Sequence, residues 1–282
     1  MRQNLRMLSA PRTYKRVFNR KIASVPLHFG VWLLFMIGGC ARLPPSKTAL
    51  SGKRLHVVIR FRSPINPNHH YFFLINNAND QNASGPVPVL NPPYGNGFAT
   101  GSGGGTSGFS DFVEFDNLQP QGYALYHALG DSNRSNFVFE GQPVAFTTPD
   151  NNDPRTANLL QFDLDLSQLI VDGNGQALPD ATQAATLANA IRFLQINLVA
   201  TDVIPRDVAT PIVRQVDSLG DSRTLLGASS FLIIDVTQIG RIYDNNSFTG
   251  QAIAEPDVLD VFNGNDPTLD IVDWSIEIRQ VN

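Results

Sequence analysis

Alternation of apolar and polar side chains runs through three long segments of the chain, residues 54–62, 159–166 and 270–279. A repeat of two residues places one apolar face against a core and leaves the other face in water. Each segment is therefore predicted to be a half-buried β-strand. Shorter strand candidates are separated by Gly, Pro, Asn and Asp, and comprise residues 70–76, 111–116, 123–129, 137–140, 193–200 and 231–236.

Two segments depart from this alternation. Residues 231–236 (FLIIDV) are apolar on both faces, which predicts a central strand. In residues 179–193, Asp180 can cap a first turn with Gln183 three residues later, and the apolar positions that follow recur at helical spacing. These features predict one short helix near residues 180–193.

The combination of many strands with a single helix predicts the fold class. Strands that are wet on one face pair in antiparallel sheets, and such sheets bury their apolar faces against one another. We expect an all-β fold, an antiparallel β-sandwich or jelly roll. Residues 54–282 are predicted to form this fold as a single domain.

The N-terminal region has the order basic, apolar, small, cysteine. Ile37, Gly38, Gly39 and Cys40 follow a basic block and a stretch without formal charge. They resemble the lipobox of bacterial lipoproteins, in which an aliphatic and two small residues precede a cysteine that is lipidated before the leader is removed. The resemblance implies a signal peptide at residues 1–39. It also implies diacylglycerol and an N-acyl chain on Cys40, and a lipidated, flexible tether at residues 40–53.

Two other interpretations of this region stay open. The leader could be a cleavable signal with a coincidental cysteine, or an uncleaved signal anchor. All three send the body outward, because the basic end stays in the cytoplasm. We therefore expect an exported protein that is lipid-anchored in the bacterial cell envelope, and in the outer membrane if the host has one, since Ala41 is not an aspartate.

The charge of the chain limits which partners it can bind, and its cysteine content limits how the fold can be stabilised. The formal net charge is -4, but residues 1–39 carry seven of the 21 basic residues and none of the 25 acidic ones, so the body carries about -11. A body of this charge repels polyanions, which excludes nucleic acid as a partner. Because Cys40 is the only cysteine, no intrachain disulfide can form.

Residues 85–108 combine four prolines with eight glycines, and are predicted to be a long loop without regular structure. Tyr94 and Phe98 on this loop are candidate ligand-binding residues, because aromatic rings stack on sugars and on protein surfaces. The alternative is that both rings cover the end of the core. Residues 69–89 and 270–279 also resemble, in outline, exported carbohydrate-binding and DOMON-like β-sandwich modules, which supports a sandwich over a barrel.

Two acidic segments, residues 163–175 and 257–270, are candidates for a structural calcium ion, which takes six to eight hard oxygen ligands. Within them Asp172 and Asn174 are the candidate metal ligands, although Asp-Gly and Asn-Gly are also ordinary hairpin turns. No cofactor is predicted to be required. The adjacent His69 and His70 would point to opposite faces of a strand, which argues against a shared metal.

No nucleophile motif of the G-x-S-x-G type is present, and no catalytic residue is assigned. The predicted function is that of a lipid-anchored envelope protein whose β-sandwich binds a glycan or another protein. One alternative is a hydrolase of envelope polymers that uses paired carboxylates. Another is a purely structural envelope protein, which predicts a contiguous exposed apolar patch and no pocket.

Overall fold

The computed structural model describes residues 51–281 apart from residues 103–107, 131–135, 208 and 250. Cys40, the leader and most of the tether lie outside the described residues. The strands are β1 (Lys53–Phe61), β2 (His70–Asn76), β3 (Pro86–Pro88), β4 (Ala99–Gly101), β5 (Asp111–Phe115), β6 (Tyr123–Ala128), β7 (Phe137–Gly141), β8 (Ala145–Thr147), β9 (Leu159–Asp165), β10 (Phe193–Thr201), β11 (Val216–Ser218), β12 (Leu232–Asp235), β13 (Ile242–Asp244) and β14 (Ile271–Gln280). The helices are α1 (Ala181–Ala190) and α2 (Leu225–Ala228), with 3-10 turns at Pro120–Gly122, Leu166–Leu169 and Asn245–Phe248.

The strands form two large antiparallel sheets and one small ribbon. Sheet A has the order β13-β14-β1-β9-β8. Sheet B has the order β11-β10-β2-β5-β6-β7, with β12 also paired to β10, and β3 pairs with β4 in the ribbon. The prediction of an antiparallel all-β sandwich is confirmed, and α1 lies within the helical range that the sequence predicted.

The main core lies between the inner faces of the two sheets. Along β1, Leu55, Val57, Ile59 and Phe61 are buried while the residues between them are half-buried. Phe73 of sheet B meets Phe162 of sheet A edge to face, with ring centroids 5.4 Å apart. A void of about 10 Å³ within this core is lined by apolar and aromatic side chains, and is no larger than one water molecule.

A second apolar cluster covers the outer face of sheet B. Its buried members, which we call the outer cluster, are Phe72, Leu74, Phe98, Ala99, Phe109, Phe112, Ala128, Val199 and Val216. Phe98 stacks on Phe72, with ring centroids 4.1 Å apart and an interplanar angle of 8°. Sheet B is therefore buried on both faces, and its strand β2 is a continuous apolar run rather than an alternating one.

The prediction that residues 85–108 lack regular structure was wrong at both ends of the segment. Val87 of β3 pairs with Thr100 of β4. The ribbon is fixed on sheet B because the side-chain amide of Asn197 donates to the carbonyl of Pro86, at 2.9 Å. Pro86 and Pro88 lack N–H groups, and a two-stranded ribbon tolerates them because each of its strands is an edge.

The prediction of a central strand at residues 231–236 was also wrong. Strand β12 pairs with β10 alone, and Ile233 is 41% exposed. The reason is that β10 is long enough to pair with two strands along the same edge. Its first half pairs with β12 and its last residues pair with β11. Two short strands thus share one edge position, and local apolar content does not reveal this.

Helix α1 begins where the capping pattern predicted. The Asp180 carboxylate accepts from the backbone N–H groups of Thr182 and Gln183, at 2.9 and 3.1 Å. Ala184 and Ala188 are buried on its inner side. Within the part of the chain that the structure describes, no helix is long and apolar enough to cross a membrane.

Candidate functional site

The two aromatic residues predicted to bind ligand are buried. Tyr94 is 1% exposed and Phe98 is 3% exposed. Phe98 belongs to the outer cluster, and the Tyr94 hydroxyl accepts from the backbone N–H of Ile212 at 3.2 Å. Neither ring offers a face to a ligand in this structure. Their role is to pack the loop onto sheet B, which was the alternative interpretation of the sequence.

Asp172 and Asn174, the predicted metal ligands, lie in an exposed turn. The Asp172 Oδ1 atom accepts from the backbone N–H groups of Asn174 and Gln176, at 2.8 and 3.0 Å, and these bonds hold the pKa of Asp172 below its usual value. Val171 and Ala177 pair across the turn. Asp172 lies in neither of the groups of three His, Asp or Glu side chains that the described residues bring within ligating distance. The geometry is that of a hairpin turn.

A buried group of three aspartates forms instead where the two sheets meet. Asp217 lies on β11 of sheet B, Asp270 directly precedes β14 of sheet A, and Asp260 lies ten residues earlier in the connecting segment. One carboxylate oxygen of each lies within 4.8 Å of the others. None of the three residues is more than 1% exposed. We call Asp217, Asp260 and Asp270 the carboxylate cluster.

Backbone hydrogen bonds hold one face of the carboxylate cluster. The N–H of Ile271 donates to Asp217 Oδ2 at 2.7 Å, which joins β11 to the start of β14. The N–H of Asp260 donates to Asp270 Oδ1 at 3.0 Å, and the N–H of Ser222 donates to Asp260 Oδ2, also at 3.0 Å. Arg62 makes an ion pair with Asp270.

Other oxygens of the site are buried without a donor among the described residues. They are the Oδ1 atoms of Asp217 and Asp260 and the Oε2 atom of Glu255. The Ser222 hydroxyl forms hydrogen bonds with Ser218, and it also lies near enough to Asp217 to favour the charged form of that carboxylate. A buried carboxylate oxygen without a partner costs free energy. The hydrogen bonds of the site therefore leave some of its buried carboxylate oxygens without a partner among the described residues.

Burial is also the main cause of the electrostatic properties of the cluster. It raises the pKa of both Asp217 and Asp260 far above the usual value, and neighbouring carboxylates raise them further. Glu255 has a raised pKa for the same two reasons. Such a group can hold a proton or a cation. A polymer substrate cannot reach it here, so the arrangement does not favour the hydrolase alternative.

The segment 257–270 was one of the two acidic stretches selected from the sequence, and it supplies Asp260 and Asp270. Asp217 was missed. It lies in the segment VRQVDSLG, where a single acidic residue carries no signal of its own. The antiparallel pairing of β11 with β10 brings it to the start of β14.

A second titratable group lies on sheet B. The Nδ1 atom of His70 is 3.2 Å from Asp116 Oδ2 and 3.5 Å from Glu114 Oε1. These two carboxylates raise the pKa of His70 to about 9. From the sequence, His70 was interpreted only as a neighbour of His69. In the structure it pairs with Glu114 of the adjacent strand β5 and with Asp116, which follows β5.

An exposed apolar loop leaves the end of β10 and returns to β11. Val213 is 87% exposed, and Val203 and Ile212 on the two arms of the loop are each 37% exposed. We call residues 203–207 and 209–213 the apolar loop. The base of the loop is fixed, because Asp202 Oδ1 accepts from the N–H of Gln215 at 2.9 Å and Tyr94 binds Ile212.

Arg214, at the end of the apolar loop, is 1% exposed. Its Nη1 atom donates to the carbonyl of Gly97, and its guanidinium lies 5.1 Å from the centre of the Tyr94 ring. Burial lowers its pKa to about 10. The apolar loop thus rests on the loop that carries Tyr94 and Phe98. Its position is set by packing, although the aliphatic side chains of Val203, Ile212 and Val213 are exposed to water.

Comparisons of the chain with protein-family models, with curated proteins and with solved structures found no match. The function is therefore argued from the residues and their geometry.

Proposed function

We propose that this protein is an exported, lipid-anchored envelope protein whose β-sandwich binds another protein through the apolar loop. The observation that carries the binding proposal is the exposure of Val213 on a loop whose base is held by Arg214, Tyr94 and Asp202. Exposed aliphatic side chains grouped on a fixed part of the surface are typical of a site that a partner covers, and Ile212 and Val213 are adjacent in the chain next to that base.

The lipid anchor is supported by the sequence. The lipobox resemblance of Ile37, Gly38, Gly39 and Cys40 assigns the thiol of Cys40 as the atom that is alkylated. Several acyl chains, at about 0.8 kcal/mol for each buried methylene, would hold the protein on a membrane without a spanning helix. The outer membrane is the proposed location where the host has one.

A protein is favoured over a glycan as the partner. Sugar rings are bound by stacking on exposed aromatic side chains, whereas the aromatic side chains that the structure describes are all buried or half-buried. The exposed apolar groups of the loop are aliphatic. Aliphatic side chains fill apolar pockets on proteins, and they offer a pyranose ring neither a flat face nor a hydrogen bond.

The anchor is tested with labelled palmitate in a bacterial host. The full-length chain should incorporate the label, and the Cys40→Ser variant should accumulate as an unlipidated precursor. Incorporation of label into Cys40→Ser would refute the assignment of Cys40.

The partner is tested by site-specific photocrosslinking of the full-length chain in its native envelope. A crosslinker at position 213 should yield one discrete protein adduct, and the same crosslinker at position 118 should not. Leu118 is a matched control because it is 77% exposed and lies in the turn after β5. Val203→Asp should abolish the adduct formed from position 213. Adducts to lipid alone, or equal protein adducts from both positions, would refute the protein-binding proposal.

A further inference from the structure

We infer that the carboxylate cluster of Asp217, Asp260 and Asp270 is a calcium site that joins sheet A to sheet B. The inference is independent of the proposed function, since it concerns other residues and neither the anchor nor the apolar loop. It places the cation at residues different from the exposed turn at Asp172.

The first argument concerns unpartnered oxygens. Asp217 is fully buried and Asp260 is 1% exposed, yet each keeps its Oδ1 atom free of any donor among the described residues. Each also fixes its other oxygen with a backbone N–H, so the carboxylates are oriented. An oriented, buried oxygen that lacks a hydrogen bond is the arrangement that a metal ligand requires before the metal binds.

The second argument comes from Glu255, a residue outside the three-membered cluster. Its Oε1 atom accepts from the N–H of Gly220 at 3.1 Å, while its Oε2 atom is shielded from water and has no described donor. The Asp217 and Asp260 carboxylates act on it electrostatically. A fourth carboxylate from a different segment therefore faces the same buried region with an open coordination position.

The third argument is the balance of charge. Four carboxyl groups meet in this region, and Arg62 is the cation that forms an ion pair with one of them, Asp270. Arg223 interacts electrostatically with Asp260 and Asp270, but its guanidinium donates its hydrogen bonds to Asp221. Buried like charges repel strongly, and a divalent cation removes that repulsion.

The donor chemistry selects calcium among divalent cations. The cluster offers carboxylate oxygens, with the Ser222 hydroxyl beside Asp217, whereas zinc sites use mostly nitrogen or sulfur. The cluster oxygens lie within 4.8 Å of one another. Oxygens that share a calcium ion, at a metal–oxygen distance of about 2.3–2.6 Å, lie no more than about 5 Å apart, so the cluster is compact enough for one ion.

The consequence for the fold follows from where the three aspartates lie. The N–H of Ile271 in sheet A donates a hydrogen bond to Asp217 in sheet B, and this bond joins the two sheets at the cluster. A cation shared by Asp217, Asp260 and Asp270 would add a second, stronger connection at this edge. We expect calcium to protect the pairing of β11 with β10 and the segment 257–270 against opening.

The test is metal titration of the full-length chain, purified in detergent and stripped with a chelator. Calcium at about 100 times its Kd should raise the melting temperature by about 5–10 °C, and one equivalent should be retained after gel filtration. The variants Asp217→Asn and Asp260→Asn should lose both effects. Asp172→Asn is the matched control, because it changes the exposed turn, and it should respond to calcium as the unchanged chain does.

The melting temperature of Asp260→Asn in the absence of calcium distinguishes a loss of calcium binding from a folding defect. Asn has nearly the same shape as Asp and removes one buried charge, so Asp260→Asn should melt no lower than the unchanged chain when calcium is absent. It should melt lower than the unchanged chain when calcium is present. A simple packing defect would lower the melting temperature in both conditions.

Three results would overturn the inference. The unchanged chain could bind no calcium, it could respond to magnesium and not to calcium, or Asp217→Asn and Asp260→Asn could bind calcium as tightly as the unchanged chain. In the first case the buried carboxyl groups would carry protons instead.

Discussion

The outer faces of the two sheets contrast with each other. On sheet A, the outward residues of β1 are half-buried and, apart from Val58, polar, and some pair across strands, as His56 does with Asp163 at 2.5 Å. On sheet B, the outward residues of β2 are Phe72 and Leu74, which are buried under the outer cluster. The same antiparallel architecture is thus solvated on one side and covered on the other.

The contrast shows that the pattern of apolar residues along a strand indicates whether one or both of its faces are buried. Strand β1 alternates because water lies on one of its faces. Strand β2 does not alternate, because residues 85–102 and Ile204 in the apolar loop cover its second face. A continuous apolar strand therefore indicates a covering element elsewhere in the chain, and here that element is the segment rich in proline and glycine.

The largest effect is expected when the covering element is damaged. Phe98→Ala should lower the free energy of unfolding by about 3–5 kcal/mol, because it removes a ring that stacks on Phe72 and contacts Phe109, Phe112 and Phe137. Urea unfolding measures the loss. Val58→Ala on the outer face of sheet A is the matched control and should cost less than about 1 kcal/mol. Equal losses at both positions would erase the contrast.

The next effect concerns the base of the apolar loop. Arg214→Ala should lower the free energy of unfolding by about 2–3 kcal/mol, because the buried side chain that packs on Tyr94 is removed. Arg214→Met should recover most of that loss, since it restores the volume and removes a buried charge whose Nε and Nη2 atoms have no partner among the described residues. If Arg214→Met is as unstable as Arg214→Ala, the charge matters more than the packing.

A smaller and pH-dependent effect is expected at His70. Its pKa is raised by Asp116 and Glu114 from 6.5 to about 9, so the protonated form is favoured in the folded state. The stabilisation is complete below pH 6.5, falls as the pH rises, and is lost above about pH 9. His70→Gln should cost about 1–2 kcal/mol at pH 6, after allowance for solvent screening, and almost nothing at pH 10.

Unfolding of both chains across this range measures the difference. Phe98→Ala is the control, because its cost should be nearly independent of pH. A cost for His70→Gln that grows with pH would contradict the ion-pair interpretation.

The smallest effect is expected on the solvated face of sheet A. Arg60 donates to Asn158 Oδ1 at 3.3 Å and lies opposite Asp273 of β14. Contacts of this kind on a wet sheet face contribute little, so Arg60→Gln should change the free energy of unfolding by less than about 0.5 kcal/mol. A loss above about 2 kcal/mol by urea unfolding would mean that this face is covered as sheet B is.

Short-range patterns were sufficient for the long strands and for the helix. Strands β1, β2, β9, β10 and β14 and helix α1 lie where alternation, apolar runs and the Asp180 cap predicted them. The patterns missed short strands such as β8, β11 and β13, because three residues are too few to establish a period.

The candidate sites divide in the same way. The sequence by itself determined the antiparallel all-β class, the position of the helix and the acidity of residues 257–270, because these depend on residues that are neighbours along the chain. The tertiary structure decided that Tyr94 and Phe98 are packing residues and that β12 lies at an edge. It also decided that Asp217, 43 and 53 positions from its partners Asp260 and Asp270, completes a buried site. Burial and the meeting of distant segments are properties of the folded chain, and local composition does not contain them.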